Sequence, residues 1–399
     1  MLRTVAVRGY RSLREVVLPV FPLTVVTGAN GTGKSSLYRA LRLLADCGRG
    51  EVIGSLAREG GLQSAVWAGP ERLSGARRTG VVEGTVRTRP ISLELGYAAE
   101  DFGYLVDLGI PLATKSAFGR DPEIKREVVF SGPILRPSST LVQRTWSAVE
   151  ARTESGRGFE AVSRSLELHH SVLAELPGRV PELGAVRETL RSWRFYDGFR
   201  VDAAAPARQP QVGTRTSVLA DDGRDLAAAV QTIIETGDEA FHRVVADAFE
   251  GALVSVAVTE GIFDIEVRQP GMLRSLRAAE LSDGTLRFIL WCAALLSPQP
   301  PALMVLNEPE TSLHPDLVAP LAALIQEAAT HTQVIVITHS DALLRHLRAE
   351  PLHRLGPRED DEAEQSGTAV HIELIKNLGE TQVDGLEILN TPSWYWGSR

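Results

Sequence analysis

The chain has 399 residues, 44% of them hydrophobic and 23% charged, with a formal net charge of −8. The length favours two or three domains, or one core with large insertions. The negative charge excludes a globally basic nucleic-acid binder, so any contact with DNA requires a local patch or a dimer groove. There is no run of about 18 apolar residues, so we expect no membrane-spanning helix. The two cysteines, Cys47 and Cys292, each fall in a predicted helix, which favours a reducing cytoplasm over a disulfide framework.

Residues 1–47 predict a strand, a turn, a second strand, a glycine-rich loop and a helix. The loop reads Gly28-Ala29-Asn30-Gly31-Thr32-Gly33-Lys34-Ser35, which matches the phosphate-binding pattern G-x-x-x-x-G-K-[ST]. Glycines let successive backbone N–H groups point at phosphate oxygens, and the helix N-terminus adds its positive dipole end. We expect Lys34 to reach the β- and γ-phosphates of ATP and the Ser35 hydroxyl to ligate Mg²⁺.

The middle of the chain predicts an antiparallel meander followed by helices. β-rich segments at 81–87, 91–97 and 104–108 lie between glycine and proline breaks, and 122–150 continues the pattern. Helical patterns follow over 159–176, 182–193, 223–235 and 238–250, and 253–268 predicts a hairpin around Glu260-Gly261. The Pro-, Arg- and Gly-rich stretch 198–216 is either a phosphate-contacting loop or a solvated linker.

An α/β pattern returns over residues 281–345, with a buried helix at 286–296, strands at 302–306 and 334–338, and a helix at 315–329. Polar residues that follow the strands should lie at the carboxyl edge of a parallel sheet, where ligands bind. Glu308 is the candidate for polarising the attacking water. His339 can donate a hydrogen bond to the γ-phosphate, and the Ser282–Gly284 turn offers a second anion site. An acidic loop at 359–364 and a β-rich segment at 369–376 complete the chain.

These motifs together resemble the ATP-binding-cassette-type heads of RecF, SMC and OLD-family proteins, and most of all the stand-alone RecF-like predicted ATPases. The resemblance rests on the glycine-rich loop, Leu-Ser-Asp-Gly-Thr at 281–285, Asn-Glu-Pro-Glu-Thr-Ser-Leu-His-Pro at 307–315, Thr-His-Ser at 338–340 and the opening Tyr10-Arg11-Ser12 element. It implies an α/β P-loop NTPase of ABC-ATPase type, with a mixed sheet core, an antiparallel β subdomain and an inserted helical subdomain. The expected divisions are 1–150, 151–250 and 251–399.

The resemblance also implies roles for individual residues. Lys34, Glu308 and His339 are the expected catalytic residues, and Ser35 and Asn307 are expected on the metal side. ATP would be bound by residues of the Walker A loop, the N-terminal element and the signature motif, namely Gly28, Ala29, Asn30, Gly31, Thr32, Gly33, Lys34, Ser35, Ser36, Arg11, Ser282 and Gly284. The D-loop would be 312–314.

The sequence departs from the family pattern at several places. Asn307 replaces the usual Walker B aspartate, which predicts weaker metal affinity and slow turnover. We therefore expect Asn307→Asp to lower the Mg²⁺ concentration that the enzyme requires. Asp283 adds negative charge to the signature motif. The stretch after His339 is too short for a Toprim nuclease domain. For the Q-loop, Gln63 and Gln143 are the candidates, and each is either the Q-loop glutamine or an ordinary surface residue.

The sequence is compatible with three functions. The first is an ATPase that dimerises in the ATP state and acts on DNA in repair or anti-phage defence. The second is a weakly hydrolysing regulatory module that controls a separate effector, such as a nuclease or toxin. The third, a transporter ATPase subunit, is disfavoured by the long 48–280 insertion, and no membrane partner is expected. Heads of this family dimerise head-to-tail, which implies that the Ser282–Gly284 turn of one subunit closes over ATP held by the other.

Overall fold

The computed structural model describes residues 1–71, 90–111, 117–237, 239–354, 369–386 and 391–397. Its strands, in chain order, are β1 (Leu2–Tyr10), β2 (Leu13–Pro19), β3 (Leu23–Gly28), β4 (Ser92–Ala99), β5 (Phe102–Gly109), β6 (Glu123–Ser131), β7 (Thr140–Thr145), β8 (Ala148–Arg152), β9 (Phe159–Ser163), β10 (Arg194–Asp197), β11 (Gln211–Val212), β12 (Leu253–Thr259), β13 (Ile262–Arg268), β14 (Leu276–Arg277), β15 (Leu303–Asn307), β16 (Gln333–Ile337), β17 (Glu350–Pro351), β18 (Val370–Asn377) and β19 (Glu380–Val383). The α-helices are α1 (Lys34–Arg49), α2 (Val52–Arg58), α3 (Leu62–Ala65), α4 (Val172–Glu175), α5 (Pro181–Ser192), α6 (Leu226–Glu235), α7 (Ala240–Ala248), α8 (Asp283–Leu295), α9 (Val318–Ala328) and α10 (Asp341–Leu347).

The central sheet is mixed and carries the nucleotide-binding motifs. Within the described residues its order is β10-β15-β16-β3-β18-β17, with every neighbouring pair parallel, and β19 adds to β18 in the antiparallel sense. Alternate residues of β15 face opposite sides of the sheet. Leu303 and Val305 pack in one hydrophobic cluster, and Met304 and Leu306 pack in the other. A sheet covered on both faces explains why these strands are continuously apolar. The predicted α/β core with a mixed sheet is confirmed.

An antiparallel sheet covers one side of this core. Its order among the described residues is β2-β1-β4-β5-β6-β7-β8-β9. The predicted meander is confirmed for the segments at 91–97, 104–108 and 122–150, whereas the segment predicted at 81–87 lies outside the described residues. The C-terminal tail packs on this sheet, where the Trp396 indole donates to Glu15 Oε1 at 3.0 Å and lies beneath the Arg8 guanidinium.

The helices pack on two hydrophobic clusters. The cluster on one face of the central sheet contains the apolar side chains of α1, α2 and α5, and the cluster on the other face contains those of α6, α7, α8 and α9. The predicted buried helix is confirmed as α8, and the predicted hairpin is confirmed as β12 and β13. The helices of 151–250 therefore divide between two faces, and the division of the chain at residues 150 and 250 stays a prediction. No helix in the described ranges is long and apolar enough to cross a bilayer.

Two predictions of local structure were wrong. The helix predicted over 159–176 is replaced at its start by β9, which pairs with β8, and only the four residues of α4 are helical. Gly156 and Gly158 adopt positive φ angles of 70° and 122° in the turn before β9, so the chain folds back against β8. Strand pairing with β8 then determines the structure, although the apolar residues are spaced as in a helix. The N-terminal segment also has three strands before the loop rather than two, since β2 and β3 are separate.

Candidate nucleotide-binding site

The glycine-rich loop joins the central sheet to the first long helix. β3 ends at Gly28 and α1 begins at Lys34. Within the loop, Thr32 Oγ1 donates to the carbonyl oxygen of Ala29 at 2.8 Å, which folds the chain back on itself. Gly33 has a φ of +113°, and a β-carbon there would collide with the Thr381 hydroxyl. Only glycine therefore fits this turn.

Lys34 is held inside the loop. Its side chain is buried, and Nζ donates to the carbonyl oxygens of Gly28 and Ala29, the latter at 3.2 Å. Exposed positions of the loop are Ala29, Asn30, Gly31 and Ser35, while Ser36 and Gly33 are partly buried. The ammonium group therefore lies at the base of an exposed loop, where it can exchange carbonyl oxygens for phosphate oxygens.

A β-hairpin from the far end of the chain braces the loop. Thr381 in β19 is fully buried, and its hydroxyl hydrogen-bonds to the Thr32 carbonyl oxygen at 2.6 Å and to the Ser12 hydroxyl at 2.8 Å. The Thr381 amide also donates to the Ser12 carbonyl oxygen at 2.8 Å. Sequence reasoning missed Thr381, because nothing local marks a residue 349 positions from the one it supports.

The expected catalytic pair meets at the carboxyl edge of the sheet. Glu308 Oε1 lies 3.2 Å from His339 Nδ1, and both side chains are partly exposed. The Glu308 amide donates to the Ile337 carbonyl oxygen at 2.7 Å, which ties the end of β15 to β16. Glu308 has a φ of +47°, a left-handed conformation that is uncommon for glutamate. Strain of this kind clusters at functional sites because the surrounding structure must hold it.

A buried network fixes the segment that carries the histidine. Thr338 is fully buried and its hydroxyl donates to Glu310 Oε1, while the Ser340 amide donates to Thr338 Oγ1 at 2.9 Å. Burial raises the pKa of Glu310 above its usual value, although the Thr338 hydrogen bond acts in the opposite direction. His339 therefore lies between two anchored neighbours, so its imidazole is presented at a fixed place beside Glu308.

Asn307, which takes the place of the usual aspartate, is paired with a carboxylate. β10 is the parallel neighbour of β15, and Asp197 is in register with Asn307. Asn307 Nδ2 donates to Asp197 Oδ1 at 2.7 Å. Sequence reasoning did not single out Asp197, although the aromatic residues Phe195 and Tyr196 precede it in a short strand, much as apolar residues precede Glu308.

The signature turn is organised by a buried arginine. Ser282 caps α8, with its Oγ accepting from the Thr285 amide at 3.1 Å. Arg208 is buried and donates to Asp283 Oδ1 at 2.6 Å and to the Leu281 carbonyl oxygen at 2.8 Å. Arg208 therefore offsets the extra negative charge of the motif. The stretch 198–216 is thus not a simple solvated linker, and its buried arginine serves a structural role.

Two arginines, the predicted Arg11 and the unpredicted Arg287, are held by contacts within the chain. Arg11 is bound to Glu59, with Nη2 2.8 Å from Oε2, so its guanidinium is already paired. Arg287 in α8 lies 3.4 Å from the carbonyl oxygens of Thr311 and Ser312, which links the signature helix to the D-loop. Among the described residues no hydrogen bond joins the signature turn to the glycine-rich loop.

The donors at this edge suit Mg²⁺. They are hard oxygen donors from Ser35, Asn307, Asp197 and Glu308, and Mg²⁺ in such sites takes one or two protein ligands together with the phosphates. No cluster of three or more His, Cys, Asp or Glu side chains with metal-binding geometry occurs in the part of the chain that the structure describes.

A parallel sheet with a glycine-rich loop, a buried lysine and polar strand ends defines a P-loop nucleotide-binding protein. Residues 23–345 match the family described as "AAA domain, putative AbiEii toxin, Type IV TA system", and the chain belongs to this family. Its fold is that of an SMC/RecF-like ABC-type ATPase. Comparison with curated proteins finds no match.

Solved SMC heads share the fold at low sequence identity. A Pyrococcus furiosus-derived SMC head with an extended coiled coil, bound to the C-terminal domain of ScpA, is 14% identical, covers 96% of this chain and 95% of its own, and has a TM-score of 0.51. An SMC head bound to the C-winged helix domain of ScpA is also 14% identical, with 96% and 97% coverage and a TM-score of 0.50. The SMC head domain of Thermotoga maritima aligns over 97% of this chain and 99% of its own, with 14% identity and a TM-score of 0.46.

Proposed function

We propose that this protein binds ATP with Mg²⁺ at the glycine-rich loop and hydrolyses it. Lys34 neutralises phosphate charge, Ser35 reaches the metal, Glu308 polarises the attacking water and His339 contacts the γ-phosphate. The observation that carries the proposal is the 3.2 Å contact between Glu308 and His339. It lies at the edge of the sheet where β3, the strand before the P-loop, also ends. Mg²⁺ would supply charge neutralisation on the phosphates when bound.

We further propose that ATP drives head-to-tail dimerisation. The Ser282–Gly284 turn begins α8, and Ser282 is exposed. Its backbone N–H groups suit an anion, yet its hydrogen bonds join it to Arg208 rather than to its own loop. A second subunit that supplies its own turn would enclose the γ-phosphate. Such a switch, acting on DNA in repair or anti-phage defence, is the biological role we favour.

A weakly hydrolysing regulatory module is the second candidate. Asn307 in place of aspartate favours it, because an amide brings no negative charge to the metal. The family description names a putative toxin, and two SMC heads of similar fold are bound by ScpA domains, so a separate effector protein is a reasonable partner. A transporter subunit is disfavoured by the long insertion between the loop and the signature turn.

Phosphate release with and without DNA separates the two candidates. An ATPase that acts on DNA should turn over measurably and respond to DNA, whereas a regulatory module should bind ATP and release phosphate very slowly in both conditions. Glu308→Gln should abolish turnover and retain ATP binding, because the carboxylate acts on water rather than on the nucleotide. The exposed Glu327→Gln is the matched control and should leave turnover unchanged. Full turnover in Glu308→Gln would contradict the proposed role of Glu308.

A further inference from the structure

Asp197 and Asn307 form a pair at the end of two parallel strands. Asn307 Nδ2 lies 2.7 Å from Asp197 Oδ1. An ionised carboxylate only accepts hydrogen bonds, so the amide nitrogen must face it. The amide oxygen of Asn307 is therefore directed away from Asp197 and left available as an acceptor. The pair as a whole carries one negative charge, as a single aspartate would.

The strand that carries Asp197 also packs on the P-loop helix. Tyr38, one turn after Ser35 in α1, packs edge-on against Phe195 of β10 with ring centroids 5.8 Å apart. Burial and, after it, the negative charge of Asp197 raise the pKa of Tyr38. Phe195 lies two residues before Asp197 on β10, so Asp197 ends a strand that packs directly on α1. Asp197 thus lies beside the Walker B strand end and on the strand that packs against the helix carrying Ser35.

We propose that Asp197 supplies the carboxylate of the Mg²⁺ site that Asn307 lacks. This proposal rests on the proposed ATP binding. With Mg²⁺ bound, the Asn307 amide oxygen would face the hydrated ion, while Asp197 would provide the negative charge and orient the amide. The function of one aspartate is divided between two residues on neighbouring strands.

This divided site, formed by Asn307 and Asp197, predicts an effect of Asn307→Asp opposite to the one expected from the sequence, which was a lower Mg²⁺ requirement. Asn307→Asp would replace an amide–carboxylate hydrogen bond with two carboxylates at the same separation. Like charges at that distance repel, and one of them would have to be protonated or displaced. The substitution should therefore weaken metal binding rather than strengthen it. The exchange that combines Asp197→Asn with Asn307→Asp keeps both the charge and the hydrogen bond.

Mn²⁺ affinity in the presence of a non-hydrolysable ATP analogue, measured by electron paramagnetic resonance, tests this assignment without relying on turnover. Asp197→Asn and Asn307→Asp should each weaken Mn²⁺ binding by about tenfold or more. The exchanged double variant should recover most of the affinity. Asp202→Asn is the control, because Asp202 is exposed and paired with Arg200, and it should behave as wild type. Thermal unfolding of each variant checks that the fold is intact.

Nucleotide binding without metal, measured in EDTA, separates this proposal from the proposed function. If Asp197→Asn binds Mn²⁺ as tightly as wild type, or if Asn307→Asp alone tightens it, the divided site is wrong while ATP binding stands. Failure of the exchanged variant to recover, when it folds as wild type does, also contradicts the pairing. If the wild-type protein binds no nucleotide either with Mn²⁺ or in EDTA, both the proposed function and the divided site are wrong.

Discussion

Glu308 and His339 face each other across the ends of two neighbouring parallel strands, with 3.2 Å between Oε1 and Nδ1. The carboxylate and the imidazole come from segments that β15 and β16 hold in fixed register. Neither side chain is deeply buried, so both remain accessible to a nucleotide bound at this edge.

His339→Ala should lower turnover while leaving ATP binding intact. Loss of one hydrogen bond to the charged γ-phosphate in the transition state is worth about 1.5–3 kcal/mol, which corresponds to about 10- to 150-fold in rate. His331→Ala is the control, because His331 is exposed and also lies beside a glutamate. Steady-state phosphate release measures both. Equal rates in the two variants would remove His339 from the proposed mechanism.

Thr381→Val should destabilise the protein and weaken ATP binding together. The substitution keeps the shape of a fully buried side chain but leaves the Thr32 carbonyl oxygen and the Ser12 hydroxyl without this partner. The expected cost is about 1–3 kcal/mol in the free energy of unfolding. Thr330→Val removes an exposed hydroxyl that also donates to a backbone carbonyl and should cost much less. Wild-type thermal stability and ATP affinity in Thr381→Val would show that the hairpin does not brace the loop.

Glu310→Gln should stabilise the protein in a manner that depends on pH. Burial raises the pKa of Glu310 in the folded state, so ionisation is less favourable there than in the unfolded chain. The stability that Glu310 contributes is therefore fully present below the pKa of 4.5 that applies in the unfolded chain. It is lost as the pH rises through the higher pKa of the folded state. The unfolding temperature of the variant, minus that of wild type, should increase from pH 4 to pH 7.5. A difference that is constant with pH would mean that Glu310 does not titrate as the structure indicates.

Gly284→Arg should block ATP-driven dimerisation without disturbing the subunit. A β-carbon at this position meets no atom within 4 Å, and the Ser282 cap is retained. In a Glu308→Gln background with ATP, sedimentation should show dimers that disappear when Gly284→Arg is added. Ser255→Arg, on an exposed position of β12, should leave the dimer intact. Persistence of the dimer in the Gly284→Arg protein would exclude a head-to-tail arrangement through the signature turn.

The site was predictable where its determinants are local. The glycine-rich loop, the helix after it and the strands ending at Asn307 and Ile337 follow from short patterns of residue type. The contacts that sequence reasoning missed join residues across long separations. Asp197 lies 110 positions from Asn307, and Arg208 lies 75 positions from Asp283. Only the order of the strands and the packing of the loops bring such residues together, and local patterns of residue type encode neither.

The error at residues 159–163 has the same origin. The apolar residues there are compatible with a helix, but a glycine turn and an available edge at β8 give the backbone a ladder of hydrogen bonds instead. Tertiary pairing therefore decided the local structure, as is common for short segments of mixed propensity.

Binding of Mg²⁺-ATP by wild type and Lys34→Ala, measured by isothermal titration calorimetry, tests the central claim most directly. Removing the buried ammonium group leaves the phosphates without their main cationic partner in the loop, so Lys34→Ala should show no measurable binding. Lys125→Ala, in β6 of the antiparallel sheet, should bind ATP as wild type does. If Lys34→Ala binds Mg²⁺-ATP with the affinity and heat of wild type, the loop is not the nucleotide site and the proposed function is wrong.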